Sequence, residues 1–196
     1  MAVFERGHIL RRGEPRGGGG TREFLAGNWP ILRGVILFSI LLGGFYALES
    51  MPFARGTVRS SILEHIAKVS SAALNILGHQ THVSGKFITS PNYSVEIVSG
   101  CDALDPTAAY FAAVLATPAA FRRKIPGILI GTAALHLINI VRIVTLFYIG
   151  IHFPSAFETV HFDIWQAGFV ALTIALWVLW MQWAMRKTEQ PSHVAT

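Results

Sequence analysis

The sequence predicts an all-α polytopic membrane protein. It should have about four transmembrane helices, with an extracytoplasmic amphipathic helix and a small β-hairpin between the first two. Three observations carry this expectation. Of 196 residues, 52% are hydrophobic and only 14% are charged, against about 25% in an ordinary soluble domain. The apolar residues gather into runs that approach the roughly 20 residues needed to cross a bilayer. The cations lie almost wholly between those runs, and mean hydropathy is +0.48. This composition excludes a disordered chain, a nucleic-acid-binding tail and an ordinary cytosolic enzyme. The one cysteine excludes an internal disulfide framework and a Cys-rich zinc site.

Residues 1–30 are basic and glycine-rich, with Arg6, Arg11, Arg12, Arg16, Arg22 and the run Gly17 to Gly20. Such a segment buries no core and is expected to be a disordered tail. A single membrane-embedded domain then occupies residues 31–185. Its first span, 31–48, is about 27 Å long, and Arg33 at its edge can reach the headgroups. A retained anchor fits better than a signal peptide, because the apolar run is too long and no small-x-small site follows. The extracytoplasmic segment 49–101 begins with a helix over 53–78. There Val58, Ile62, Ile66, Val69, Ala73 and Ile76 recur at helical spacing, as in a helix lying on a membrane surface or on the bundle. Gly78 is a fitting C-terminal stop. In 81–98, Tyr93, Val95 and Ile97 alternate with Ser94 and Glu96. With Val83, Phe87 and Ile88 they flank Ser90-Pro91-Asn92, the pattern of a β-hairpin with a proline turn.

Three further spans follow, over about 102–120, 126–150 and 163–185. Asp105-Pro106 suits the start of the second, since Asp caps and Pro tolerates a first turn. Trp165, Trp177, Trp180 and Trp183 lie toward the ends of the last, as interfacial aromatics do. The basic tail, Arg122-Arg123-Lys124 and Arg186-Lys187 fall on one side of such a path, with a C-terminal tail over 186–196. Positive charge marks that side as cytoplasmic. Topology therefore accounts for the net charge of +5, and no nucleic acid is implied.

This topology gathers residues that are distant in sequence. Arg142 lies within the third span, about 12 Å below its outer end. His136, Asn139 and Arg142 step by three along one polar stripe. A charge there is expensive and normally faces a partner or a cavity. Snorkelling or a structural hydrogen bond is the plainer reading. Cys101 is either a small buried hydrophobe or a nucleophile. A helix N-terminus and a nearby Arg favour its thiolate, whereas Asp102 and Asp105 oppose it, and the sequence leaves that balance open. His161, at the outer end of the last span, is a surface or cap residue unless it meets the thiol. It could then act as base and acid in acyl transfer, with Arg142 holding a developing oxyanion. His136 is either a supporting partner of that site or a packed polar residue. His79 and His82 lack a visible third ligand, and there is no glycine-rich phosphate loop and no HExxH motif, so neither metal nor cofactor is expected.

Ser99-Gly100-Cys101, then Asn139-Ile140-Val141-Arg142-Ile143, then His161 before the last span resemble the exosortase/archaeosortase family of multi-spanning prokaryotic membrane proteins. Phe157 to His161 and Trp165-Gln166 look most like its short exosortase H subtype. The resemblance covers about residues 90–185. It implies a cysteine transpeptidase or peptidase in the bacterial inner membrane, with its active site facing outward and both termini cytoplasmic. Its substrates would be exported proteins ending in a sorting motif, one span and a basic tail. Cys101 would form a thioester, His161 would handle protons, Arg142 would hold the oxyanion or orient the substrate, and an acceptor amine or water would release the product. Asp102 stands where the family pattern leads one to expect a small or amide residue. Two other classes remain: a non-catalytic assembly factor that holds exported tails or polysaccharide machinery, and a small transporter.

Overall fold

Trp29–Glu49 forms α1, apolar all round, with Pro30 in its first turn, where a missing N–H costs nothing. None of its residues is fully buried, as expected of a helix that faces lipid on most sides. The structure, a computed structural model, describes residues 28–186. The expected tails therefore lie outside the described residues, apart from their innermost positions.

After α1 the chain turns at Pro52, passes through a π-helical turn at Ala54–Val58 and enters α2, Arg59–Ile76. This helix packs on the bundle, against the sheet and the fourth helix. Its buried face is Leu63, Ala67, Ser70, Ser71 and Leu74. The expected stripe is thus displaced by about one residue, and Val58, Val69 and Ile76 are exposed. Small Ala and Ser side chains let this face approach its neighbours closely.

The expected hairpin is a three-stranded antiparallel meander, β1 His82–Ser84, β2 Phe87–Thr89 and β3 Ser94–Glu96. Val83 pairs with Ile88, and Ile88 with Val95. The additional reversal is made at Gly85, whose φ of +59° favours glycine. Ser90-Pro91-Asn92 makes the other. Ile88 and Ile97 are buried with Leu63, Ala67, Leu74, Ile143 and Phe147 in the first of two cores.

The next helix, α3, covers Leu104–Ala116, about 20 Å. It is shorter than the span expected over 102–120 because Thr117 is extended (ψ 132°) ahead of Pro118, where helix is disfavoured. Among the described residues, three helices are long and apolar enough to cross a membrane, Trp29–Glu49, Phe121–His152 and Pro154–Met185. Short α3 lies among them. Phe121–His152 is α4, about 48 Å long. Pro154–Ala156 and the π-helical turn Thr159–Ile164 lead into α5, Trp165–Met185.

Tight contacts join α3, α4 and α5. A Cβ at Gly131 would collide with the Tyr110 ring, and one at Gly127 with Trp180. The Tyr110 hydroxyl donates to the Gly127 carbonyl at 2.9 Å, and Trp180 Nε1 to the Arg123 carbonyl at 3.0 Å. Trp180 is therefore a core residue and not a membrane-interface anchor, whereas Trp183 is exposed. Lys124 donates to the Leu115 carbonyl at 2.6 Å, where a cation complements the end of α3. Ala103, Tyr110, Val114, Leu135, Phe169 and Trp180 make the second core. Cys101 belongs to the first core and Ala103 to the second, so the turn between them is the seam of the molecule.

Candidate active site

The seam turn is built from unusual backbone. Gly100 has φ +92° and Ala103 φ +56°. The left-handed region costs a residue with a Cβ roughly 1–2 kcal/mol. Ala103 adopts it at 2% exposure, so surrounding packing must impose it. The turn leaves Ser99 and Gly100 exposed and turns Cys101 inward, with 5% of its surface exposed.

Helix α4 holds this turn from one side. Asn139 Nδ2 donates to the Cys101 carbonyl at 2.8 Å, and Arg142 Nη1 to the Gly100 carbonyl at 3.1 Å. Their three-residue spacing puts both on one helical face, and both are buried. The Arg142 guanidinium lies 5.6 Å from the centre of the Phe169 ring, a favourable cation–π arrangement. Asn139 Oδ1 and Arg142 Nε are buried with no hydrogen-bond partner among the described residues. Each keeps one unused polar function beside the thiol turn.

From the other side comes His161, within the π-helical turn. Such turns insert one extra residue into a helix and are frequent at functional sites. Cys101 Sγ and His161 Nε2 are 3.1 Å apart. His161 otherwise contacts the rings of its neighbours Phe157 and Phe162.

Asp102 is the most buried member of the turn, at 0% exposure. Its Oδ1 accepts the N–H of Leu104, the first residue of α3, at 3.2 Å, while the N-cap position expected of Asp105 is held by Ala103 and Asp105 lies inside the first turn. Its Oδ2 accepts from Arg59 Nε at 3.0 Å and Nη2 at 2.7 Å. Arg59 also pairs with Glu49, the last residue of α1. The thiol balance left open by the sequence is now decided. Burial pushes the Cys101 thiol above its ordinary range, and the Asp102 charge adds to that rise. The Arg142 charge and a backbone hydrogen bond from Val98 pull the other way without overcoming it.

The structure thus brings together Cys101, Asp102, Asn139, Arg142 and His161. It does not bring in His136, half-buried one turn closer to the basic end of α4. His79 stands edge-on to Phe147 and Tyr148 as a packing residue. Sequence reasoning missed Arg59 and Phe169. Arg59 carried only its place at the start of an amphipathic helix, with nothing in the sequence to tie it to Asp102. Phe169 carried none beyond its apolar character.

A thiol at hydrogen-bond distance from an imidazole can lose its proton as it attacks a carbonyl, and the imidazole can return that proton to a leaving amine. A buried guanidinium with a free N–H suits the negative oxygen of the intermediate. The family model for transmembrane exosortase (Exosortase_EpsH) matches residues 24–181, which take in the whole site. The chain belongs to that family. No curated protein and no solved structure matches it.

Proposed function

We propose that this exosortase-family chain is a membrane cysteine transpeptidase or peptidase that removes C-terminal sorting tails from exported proteins. The observation that carries the reading is the 3.1 Å contact between Cys101 Sγ and His161 Nε2 beside the Arg142 guanidinium. Sγ attacks the scissile carbonyl carbon while its proton passes to Nε2. The carbonyl oxygen becomes an oxyanion that the Arg142 Nε–H stabilises. The C–N bond breaks, His161 gives its proton to the departing amine, and a thioester remains on Cys101. An acceptor amine or water, deprotonated by His161, attacks the thioester and frees the thiol. No cofactor enters these steps.

Residues 31–185 act in this reading as one membrane-embedded domain of a bacterial inner-membrane protein, with both termini cytoplasmic. Arg122, Arg123, Lys124 and Arg186 share one end of the bundle, the distribution expected of a cytoplasmic face. The seam turn, held by Asn139 and Arg142, lies about 24–29 Å along α4 from Arg123, close to the thickness of a hydrocarbon layer of about 30 Å. Substrates are exported proteins with a sorting motif, a single span and a basic tail.

The test compares the C-termini of exported proteins, by mass spectrometry, in cells carrying the wild type or Cys101→Ala. Tails that disappear only with Cys101 present support the reading, and any mass left on the new terminus identifies the acceptor. Identical termini, with both proteins expressed and candidate tails present, overturn it in favour of a factor that holds tails without cutting them.

A further inference from the structure

We infer that Arg59 is a positioning residue of the thiol site: it holds Asp102 as a paired carboxylate, and so fixes the turn that carries Cys101 and offsets the negative charge beside the thiol. The inference deepens the cysteine-enzyme reading and rests on it for its biological meaning.

The geometry is that of a clamp. Two Arg59 donors converge on a single oxygen of Asp102, while the other oxygen accepts the Leu104 N–H at the start of α3. The same guanidinium reaches Glu49, so the end of α1, the start of α2 and the seam turn meet at one side chain. The Arg59 side chain is 14% exposed and that of Asp102 is 1% exposed, so water screens the pair little. Asp102 is the immediate chain neighbour of Cys101. Left unpaired, it would set a buried negative charge against any thiolate.

The charged and titratable groups around Cys101 are limited. Asp102 lies in the turn, Asp105 on α3, Arg142 on α4 and His161 on the π-helical turn, with Glu158 acting on His161. Arg59 and Glu49 stand behind Asp102, and Tyr46 on α1 faces Asp105. Among the described residues, two cations thus flank the thiol turn. Arg142 is tied to the Gly100 carbonyl, and Arg59 is tied to Asp102. The pairing also accounts for a carboxylate tolerated beside a candidate nucleophile.

The single cysteine makes the test direct. Iodoacetamide alkylation of the purified full-length protein in detergent is followed by mass spectrometry across a pH series. Arg59→Gln is expected to move the midpoint of the rate profile upward by about one pH unit, slowing alkylation at pH 7.5 roughly tenfold. A structural tie with no electrostatic part gives the opposite sign, because loosening the turn exposes the thiol, lowers the midpoint and speeds alkylation. Arg59→Lys should keep the midpoint near wild type. Arg59→Gln combined with Asp102→Asn should return it to wild type or below. An unchanged or lowered midpoint in Arg59→Gln overturns the inference, as does a double variant no different from the single one.

Should Arg59→Gln alone fail to fold, the double variant Arg59→Gln with Asp102→Asn is read against Asp102→Asn alone. A higher midpoint in the double variant supports the charge role of Arg59, and an equal or lower one overturns it. None of these titrations requires tail cleavage. Intact tails in the presence of Cys101 would sink the enzymatic reading and leave the titration standing. Processed tails with an unmoved midpoint would sink only the role of Arg59.

Discussion

The two arms of the candidate site are held in different ways. The thiol arm is anchored from three sides: Asn139 and Arg142 grip the carbonyls of Cys101 and Gly100, and Arg59 grips Asp102. Cys101, Asp102 and Ala103 are all buried. The imidazole arm is held by its own helix. Around His161, Phe153, Phe162 and Ile164 remain 65%, 62% and 60% exposed, and the π-helical turn gives the helix an irregular register there. A nucleophile must hold its angle to a carbonyl to within a fraction of an ångström. A general base that later acts as an acid must follow its proton from the thiol to the departing amine. On the proposed mechanism, the more firmly anchored arm is the one that would form the covalent bond, and the less anchored arm is the one that would carry the proton.

The largest effects test whether both arms are needed at all. Cys101→Ala should reduce tail processing about a thousandfold or more, read as the rate at which tails disappear. Arg142→Gln should cost about a hundredfold and move the midpoint of thiol alkylation upward, since its charge opposes the rise caused by burial. The wild-type midpoint should itself lie above the ordinary thiol value of about 8.5, with alkylation accelerating as pH rises. A midpoint below that value breaks the picture of a buried neutral thiol.

Smaller effects sharpen the contrast between the arms. Asn139→Ala leaves the buried Cys101 carbonyl unpaired and should lower stability by about 1–3 kcal/mol, measured by unfolding in detergent. Gly100→Ala places a Cβ at φ +92° and should cost about 1–2 kcal/mol. His161→Ala should change stability by no more than about 0.5 kcal/mol while processing collapses. If it destabilises the protein as much as Asn139→Ala does, the two arms are held alike and the comparison fails.

Much of this was legible because membranes make polar residues conspicuous. Arg142 and Asn139 stand out in an apolar helix, and one cysteine leaves no choice of thiol. Chain order and span count then bring His161 to the same end. Other features depended on neighbours that a sequence does not display. The apolar stripe of α2 competes with an adjacent face of Leu63, Ala67, Ser70 and Leu74, and packing against α4 and the sheet chose the latter. The reversal at Gly85 is made by two residues and is easily read as continuous strand. The end of α3 is written in the sequence, since Pro118 disfavours helix at Thr117. Arg59 could not be assigned to Asp102 from spacing, because 43 residues separate them and tertiary packing alone joins them.

The length of α4 has a consequence for anything that approaches the thiol. This one unbroken helix carries the basic triplet at its start and Arg142 about 28 Å further on, so it acts as a ruler. In the proposed orientation it sets the height of Cys101 above the basic face near that of a hydrocarbon layer. A membrane-spanning tail anchored by its own cations at the basic face would meet the thiol only with the residues that emerge just past its apolar stretch. Shortening that stretch by one helical turn would lower its outer end by about 5.4 Å, below the reach of a thiol held in a fixed turn. Selection among tails would then follow their length as well as their motif, and a thinner bilayer would shift the preferred length without any change in the site.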